Sequence, residues 1–243
     1  MPASLPTIPT SQSNSSLACP HRRNVPVGPP TDTALLIRRA EHAWPMLTLL
    51  RTRRRRTELE SAARYLGPIR RQIRTSPLTS PPSPWRVSGM FAVPQLEAIG
   101  FDRDSELLLV ISRDGRGVID CANGEKIARK IGTRHDDEPP HLLQAKGIGP
   151  LEHVDIAVAG RKGGGLPRAT TDGWSLELVT LEWPTQEVLL VPPGSALFLC
   201  HEYDEARFAR IESHPELHAC GFSFSGLSLV LAAGDDLTIY HRS

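Results

Sequence analysis

Two segments of this sequence resemble each other at a spacing of 121 residues, position 99 matching position 220. Ile99–Val110 matches Cys220–Leu231, and in each copy a Gly-Phe pair leads through a short polar stretch into an apolar run. Each copy then passes through an Asp-containing turn into a second apolar run, Val118-Ile119 or Leu237–Tyr240. An internal repeat constrains the architecture strongly, because both copies must form the same supersecondary unit.

Each copy has the pattern of a β-hairpin. The turns are Arg113–Gly117 in the first copy and Gly234–Asp236 in the second. Asp and Gly between β-rich runs favour hairpins, because they tolerate the positive φ that tight turns need. We therefore predict two adjacent strands in each copy.

The first copy resembles a WD-repeat blade over about residues 95–125, in the runs Gly100–Ser105, Ser112–Gly115 and Val118–Glu125. The second copy resembles the same blade over about residues 217–243. Ile119 stands where the family has its tryptophan, and Tyr240-His241 replace its Trp-Asp pair. The resemblance implies degenerate blades of a β-propeller and a role in binding another protein.

The spacing also suits such a fold, since a blade takes about 40–45 residues and 121 residues span about three blade lengths. Further short apolar runs are separated by turn signals at Gly163–Gly165, Pro192–Gly194 and Ser213–Pro215. We predict an all-β domain over residues 85–243, a small propeller-like or twisted antiparallel sheet assembly. An antiparallel sandwich with two similar hairpins stays open as an alternative.

The first 84 residues differ from the rest in composition. Residues 1–85 hold 13 arginines and four acids, a net charge of +9, whereas residues 86–243 hold 15 basic and 23 acidic residues, a net charge of −8. Thirteen of the 22 prolines also lie in the first part. Such a segment buries little apolar surface, so we expect residues 1–84 to be a largely disordered extension with candidate helices over 34–50 and 57–74.

The run Arg53–Arg56 is a candidate for nucleic-acid binding or targeting, because clustered cations displace counterions from phosphates. However, 24 of the 28 basic residues are arginine throughout the chain, and no aromatic residues alternate with the run. We therefore expect a protein partner rather than nucleic acid. A transit peptide and a start later than Met1 both stay open.

The chain has no apolar run long enough to span a membrane. Three of its four cysteines lie in the predicted β domain, and an odd number there argues against a disulfide framework. We predict a cytoplasmic protein.

A metal site is one candidate for chemistry. Thiolate and imidazole are the ligands that zinc selects, and five such side chains lie close together in the sequence: Cys200, His201, His214, His218 and Cys220. They lack a Cys-x-x-Cys pair, and surface histidines beside core cysteines give the same pattern. We predict no cofactor.

A second candidate is the glycine-rich segment after the apolar run ending at Ala159. Its residues are Arg161, Lys162, Gly163, Gly164, Gly165 and Arg168. A phosphate-binding loop needs a helix start behind it, and here another turn follows. We therefore predict a loop that recognises a partner.

Two function classes follow. A non-catalytic protein-interaction module of WD-repeat-like type is favoured by the repeat and by the lack of a Gly-x-Ser-x-Gly or comparable nucleophile motif. The alternative is a small metal-dependent or hydrolytic enzyme on a β-scaffold, which the Cys/His cluster and the acidic loops favour.

Overall fold

The computed structural model describes residues 66–132, 143–195, 197 and 206–243. The chain divides into two compact units, Met1–Arg56 and Thr57–Ser243, and the described residues all belong to the second. In the described part, no helix combines the length and apolar character needed to cross a membrane. The candidate helix over 34–50 lies outside these residues.

The described part of the second unit is an all-β fold, as predicted, with one α-helix (α1) over residues 66–75 and a 3₁₀ helix at Gly149–Leu151. The strands are β1 Arg86–Ala92, β2 Leu96–Phe101, β3 Leu107–Ser112, β4 Gly115–Asp120, β5 Glu125–Ile131, β6 Gln144–Lys146, β7 Asp155–Ala157, β8 Ala159–Gly160, β9 Ser175–Glu182, β10 Thr185–Val191, β11 Ala209–His214, β12 Leu217–Phe222, β13 Ser228–Ala233 and β14 Asp236–His241.

These strands form four antiparallel sheets. The first sequence copy supplies the order β5-β4-β3-β2-β8, and the second copy lies in the order β1-β14-β13-β12. The strands β11-β10-β9 form a third sheet, and β6-β7 form a hairpin.

The two sequence copies are also copies in strand register. Phe101 pairs with Leu108 in the first, and Phe222 pairs with Leu229, each 121 positions later, in the second. The β2–β3 and β12–β13 ladders also carry an irregularity at matching positions, where Glu97 and His218 are skipped. A one-residue slip would move every side chain to the other face, so equal registers give both copies the same buried positions.

Backbone hydrogen bonds outside the ladders repeat as well. Asp102 N–H donates to Leu107 O (3.0 Å), and Ser223 N–H donates to Ser228 O (2.9 Å). The Arg113 N–H to Gln95 O bond (3.2 Å) is likewise repeated 121 positions later. The copies thus share their turns as well as their strands.

The fourth strand of the second copy comes from the other end of the β region. β5 pairs with β4, and β1 pairs with β14 in the same register, so that Arg129 in β5 corresponds to Met90 in β1, 39 positions earlier. The described strands therefore begin and end in the same sheet. Pairing of the first strand with the last also covers an edge of β14 that would otherwise be open.

The central strands of three sheets are buried on both faces. Side chains alternate along a strand, so neighbours in β3, β10 and β13 enter different hydrophobic clusters. In β13, for example, Val230 enters the cluster between the two copies, whereas Leu229 and Leu231 enter the cluster facing the β9–β11 sheet. This double burial explains why these strands are continuous apolar runs.

Four hydrophobic clusters join the elements in a series. One lies between the sheets of the two copies, and another lies between the second copy and the β9–β11 sheet. A third joins the first copy to the β6–β7 region, and the fourth joins the β9–β11 sheet to helix α1. The core is therefore divided among sheet interfaces.

Helix α1 packs onto the β domain. Ile73 is 1% exposed, and the Gln72 side chain makes two hydrogen bonds with the Ala206 backbone, at 2.7 and 3.2 Å. We predicted that the compact domain begins at residue 85, but the second compact unit begins at Thr57, and Ile69 and Ile73 of helix α1 pack in its core. Composition alone misses this, because two apolar residues on one helix face, Ile69 and Ile73, are enough for docking.

Candidate functional site

The two groups of candidate residues from the sequence meet along strand β12. The segment that follows β8, here named the 160–168 loop (residues 160–168), runs beside this strand. Phe222 N–H donates to Pro167 O at 2.8 Å, and Arg168 Nη1 donates to Cys220 Sγ at 3.2 Å. Because β8 pairs with β2, the loop also begins beside the first copy.

The loop starts with a tight turn. Gly160 and Gly163 exchange backbone hydrogen bonds at 2.9 and 3.0 Å, and Arg161 and Lys162 are exposed at the tip. Gly164 has φ +89°, and a Cβ there would lie 2.1 Å from Val158 O. The glycines are therefore needed for backbone geometry, which leaves the two cations to face solvent.

The second half of the loop is held against the domain. Leu166 is buried in the cluster between the two copies, and its Cβ would lie 2.3 Å from any Cβ at Gly221. Gly221 is thus required where the loop crosses β12. Arg161–Gly165 are exposed, whereas Leu166 is buried, and Arg168, although exposed, is hydrogen-bonded to Cys220.

Arg161 lies where the two copies meet. Its backbone N–H donates to the carbonyl of Glu97 at 2.9 Å, and Glu97 corresponds to His218 by the 121-residue offset. Burial and the nearby Arg161 charge lower the pKa of His218, which favours a neutral imidazole. The loop, Glu97 and His218 form one polar end of the molecule.

The described members of the predicted metal site do not gather as ligands. His214 Nδ1 accepts a hydrogen bond from Glu216 N–H at 3.0 Å, and Cys220 is 2% exposed. Burial raises the pKa of the Cys220 thiol to about 11, which opposes the thiolate that zinc requires. Over the described ranges, no three side chains of ligand type form a metal-binding group. Cys200 and His201 lie outside those ranges.

A polar cluster at the opposite end of these strands links the copies. The Ser225 and Ser228 hydroxyls donate to the two carboxylate oxygens of Glu106, and Ser228 Oγ lies 3.0 Å from His241 Nδ1. Sequence analysis missed this cluster, because its members come from copies more than 100 residues apart and form no local motif.

This Ser–His–Glu arrangement is not that of an activated nucleophile. A serine hydroxyl has one hydrogen, and Ser228 donates it to Glu106 rather than to His241. In a catalytic triad, the histidine accepts that proton and the carboxylate orients the histidine. Ser228 is also 0% exposed, so the geometry serves to join Glu106 to the second copy.

An ion pair fixes the C-terminal end of β14. Arg242 donates to Asp172 through both terminal nitrogens, at 2.5 and 2.7 Å, and its Nε donates to Gly226 O at 2.9 Å. The guanidinium also lies 4.8 Å from the centre of the Trp85 ring. These hydrogen bonds hold the pKa of Asp172 well below its usual range.

The comparisons with known proteins do not identify a relative. No protein-family model matches the chain, and no curated protein matches it.

Proposed function

We propose that the chain is a non-catalytic protein-interaction module of WD-repeat-like, propeller-like type. The observation that carries this proposal is the pair of four-stranded copies with equal registers, in which β1 supplies the outer strand of the last copy. A repeat fold that completes its last unit with its first strand pairs both chain ends of the β region in one sheet and forms a rigid scaffold for exposed loops.

The order of the sheets supports a ring of four units. The β6–β7 region packs on the first copy, the two copies pack on each other, and the β9–β11 sheet packs on the second copy. These are three of the four neighbour contacts that such a ring needs, and in the described part the other face of the β9–β11 sheet packs on helix α1. The β6–β7 hairpin takes the place of a degenerate blade.

The exposed tip of the 160–168 loop supports a recognition role. Arg161 and Lys162 project from a turn whose base is hydrogen-bonded to the first copy and whose end is packed against the second. A loop backbone that is already held at both ends loses less conformational entropy on binding than a free loop, which favours affinity.

A reducing compartment suits this module. Cys121 and Cys220 are free and buried, and burial raises the pKa of both thiols. We place the module in the cytoplasm, with another protein as its partner.

Affinity capture with the full chain as bait tests the proposal. We expect a stoichiometric protein partner whose capture falls about tenfold or more when Arg161 and Lys162 are both replaced by glutamate, since charge reversal at a contact costs affinity. The matched control is Arg207→Glu, another exposed cation away from the loop. Equal capture by the loop variant and wild type, or no stoichiometric partner at all, would contradict the proposal.

A further inference from the structure

Strand β5 is exposed along nearly its whole length. Six of its seven residues are exposed, and only Ala128 is half-buried, beside the 3₁₀ helix. β5 is the terminal strand of its sheet, and no further strand pairs with it within the described ranges. One row of its backbone N–H and C=O groups therefore has no ladder partner there.

The charge of this strand is opposite to that of its domain. β5 carries Lys126, Arg129 and Lys130 against Glu125, a net charge of +2, whereas residues 86–243 carry −8. Exposed apolar side chains lie between the cations: Ile127 is 41% exposed and Ile131 is 72% exposed. The strand thus presents a mixed cationic and apolar edge.

The equivalent strand β1 is different, although its register is the same. Its one charged residue is Arg86, and the turn of the first copy lies against it, since a Cβ at Gly124 would be 2.1 Å from Ser88 O. Position by position, Arg129 of β5 corresponds to the apolar Met90 of β1. The cationic character of the edge is therefore a property of β5 and not of the repeat.

A second copy of this chain is a poor occupant for the edge. Antiparallel pairing of two β5 strands brings their cations together, and like charges on paired strands are destabilising. Lysine on an edge strand commonly prevents such self-association. An acidic strand would meet complementary charge at the same positions.

We propose that β5 is a docking edge to which an extended acidic segment of a partner protein adds as a further strand. This inference rests on the proposed function as an interaction module. Backbone hydrogen bonds to the outer edge supply affinity. Lys130 lies on one face of the sheet, and Arg129 and Ile131 lie on the other, so the acidic residues of an alternating segment meet Lys130 while its apolar residues lie beside Ile131.

The probe is a fluorescein-labelled peptide of alternating glutamate and valine, titrated with the full chain and followed by fluorescence anisotropy. We expect saturable binding that weakens about tenfold or more in the double variant Arg129→Glu, Lys130→Glu. Met90→Glu is the matched control, because it places the same charge at the equivalent position of β1, and it should leave binding unchanged. Ile131→Asp should weaken binding independently of the cations.

A second peptide separates strand addition from simple charge attraction. Replacing each valine by proline keeps the charge but removes backbone donors, so this peptide should not bind. Equal binding of the proline peptide, equal weakening by Met90→Glu, or no binding of the valine peptide would overturn the inference. Circular dichroism melting curves of each variant would show whether a loss reflects unfolding.

The two proposals fail separately. The peptide titration uses no natural partner, so a negative result there with partner capture intact would overturn the β5 edge alone. Failure of capture together with saturable, strand-type peptide binding would instead contradict the proposed function and leave the β5 edge as a peptide-binding strand.

Discussion

Replacing Phe222 by alanine tests most directly whether the repeated register determines how the hydrophobic core is packed. Phe222 is 0% exposed in the cluster between the second copy and the β9–β11 sheet, and its ring centre lies 5.5 Å from that of Trp85. Its equivalent Phe101 is 2% exposed in the cluster between the two copies. The same register thus places two phenylalanines at two different sheet interfaces.

The expected cost follows from this burial. Truncating a buried Phe to Ala costs about 3–5 kcal/mol, and an aromatic pair contributes about 0.5–1.5 kcal/mol more. We expect Phe222→Ala at the upper end of the range and Phe101→Ala near its middle, because no ring pairs with Phe101 in the described part. Total stability of a domain is only about 5–15 kcal/mol, so either loss is large.

Urea unfolding followed by tryptophan fluorescence and far-ultraviolet circular dichroism measures both effects. With a urea dependence of about 2 kcal/mol per molar, a loss of about 4 kcal/mol lowers the midpoint by roughly 2 M. Phe222→Leu is the milder control and should cost about 1 kcal/mol. The effects of Phe101→Leu and Phe222→Leu on stability should be additive within about 0.5 kcal/mol, because the two rings lie in different clusters.

A change below about 1 kcal/mol for either alanine variant would refute this reasoning. It would mean that the matching registers do not organise the packing between sheets. A strongly non-additive pair of leucine variants would instead show that the two clusters behave as one.

Three further predictions concern other parts of the fold. Deleting the chain from Leu237 onward removes the strand that pairs with both β1 and β13, so the product should aggregate or lose its cooperative transition on heating, and a soluble, cooperatively melting product would count against the closure. The ionised Asp172 carboxylate stabilises the folded state above the unfolded carboxyl pKa of about 3.9, and this stabilisation is lost as pH falls through the lower folded pKa. Asp172→Asn should remove it. If the variant and wild type show the same dependence of unfolding on acid pH, the Arg242 pair does not have this role. Protein purified without added metal should hold well under one equivalent of zinc. Cys220 should react slowly with a thiol reagent at pH 8, since burial raises its pKa to about 11. Stoichiometric zinc that is lost in Cys220→Ser would instead favour the enzyme alternative.

The local parts of the fold could be predicted from the sequence because they depend on neighbouring residues. Alternating burial and Asp- or Gly-containing turns determine a hairpin within a few residues. The strands around Phe101 and Phe222, and the similarity of the two hairpins, could therefore be predicted from the sequence. The exposure of Arg161 and Lys162 at a glycine-rich turn followed from the same local chemistry.

The candidate site could be predicted only in part. The loop and the His214–Cys220 segment were recognised separately, but not their contact, because no local pattern states which strand a loop lies against. The docking of helix α1 was missed for a similar reason. The apolar face of the helix consists only of Ile69 and Ile73. The stability that these residues contribute depends on packing against strands that are distant in the sequence.

The sequence by itself determined the repeated hairpins, because strand period and turn geometry act over a few residues. The tertiary structure alone decided that β1 completes the last sheet and that Glu106 joins serines of the other copy. These contacts close loops of more than 100 residues, and their gain depends on which surfaces the whole chain brings together.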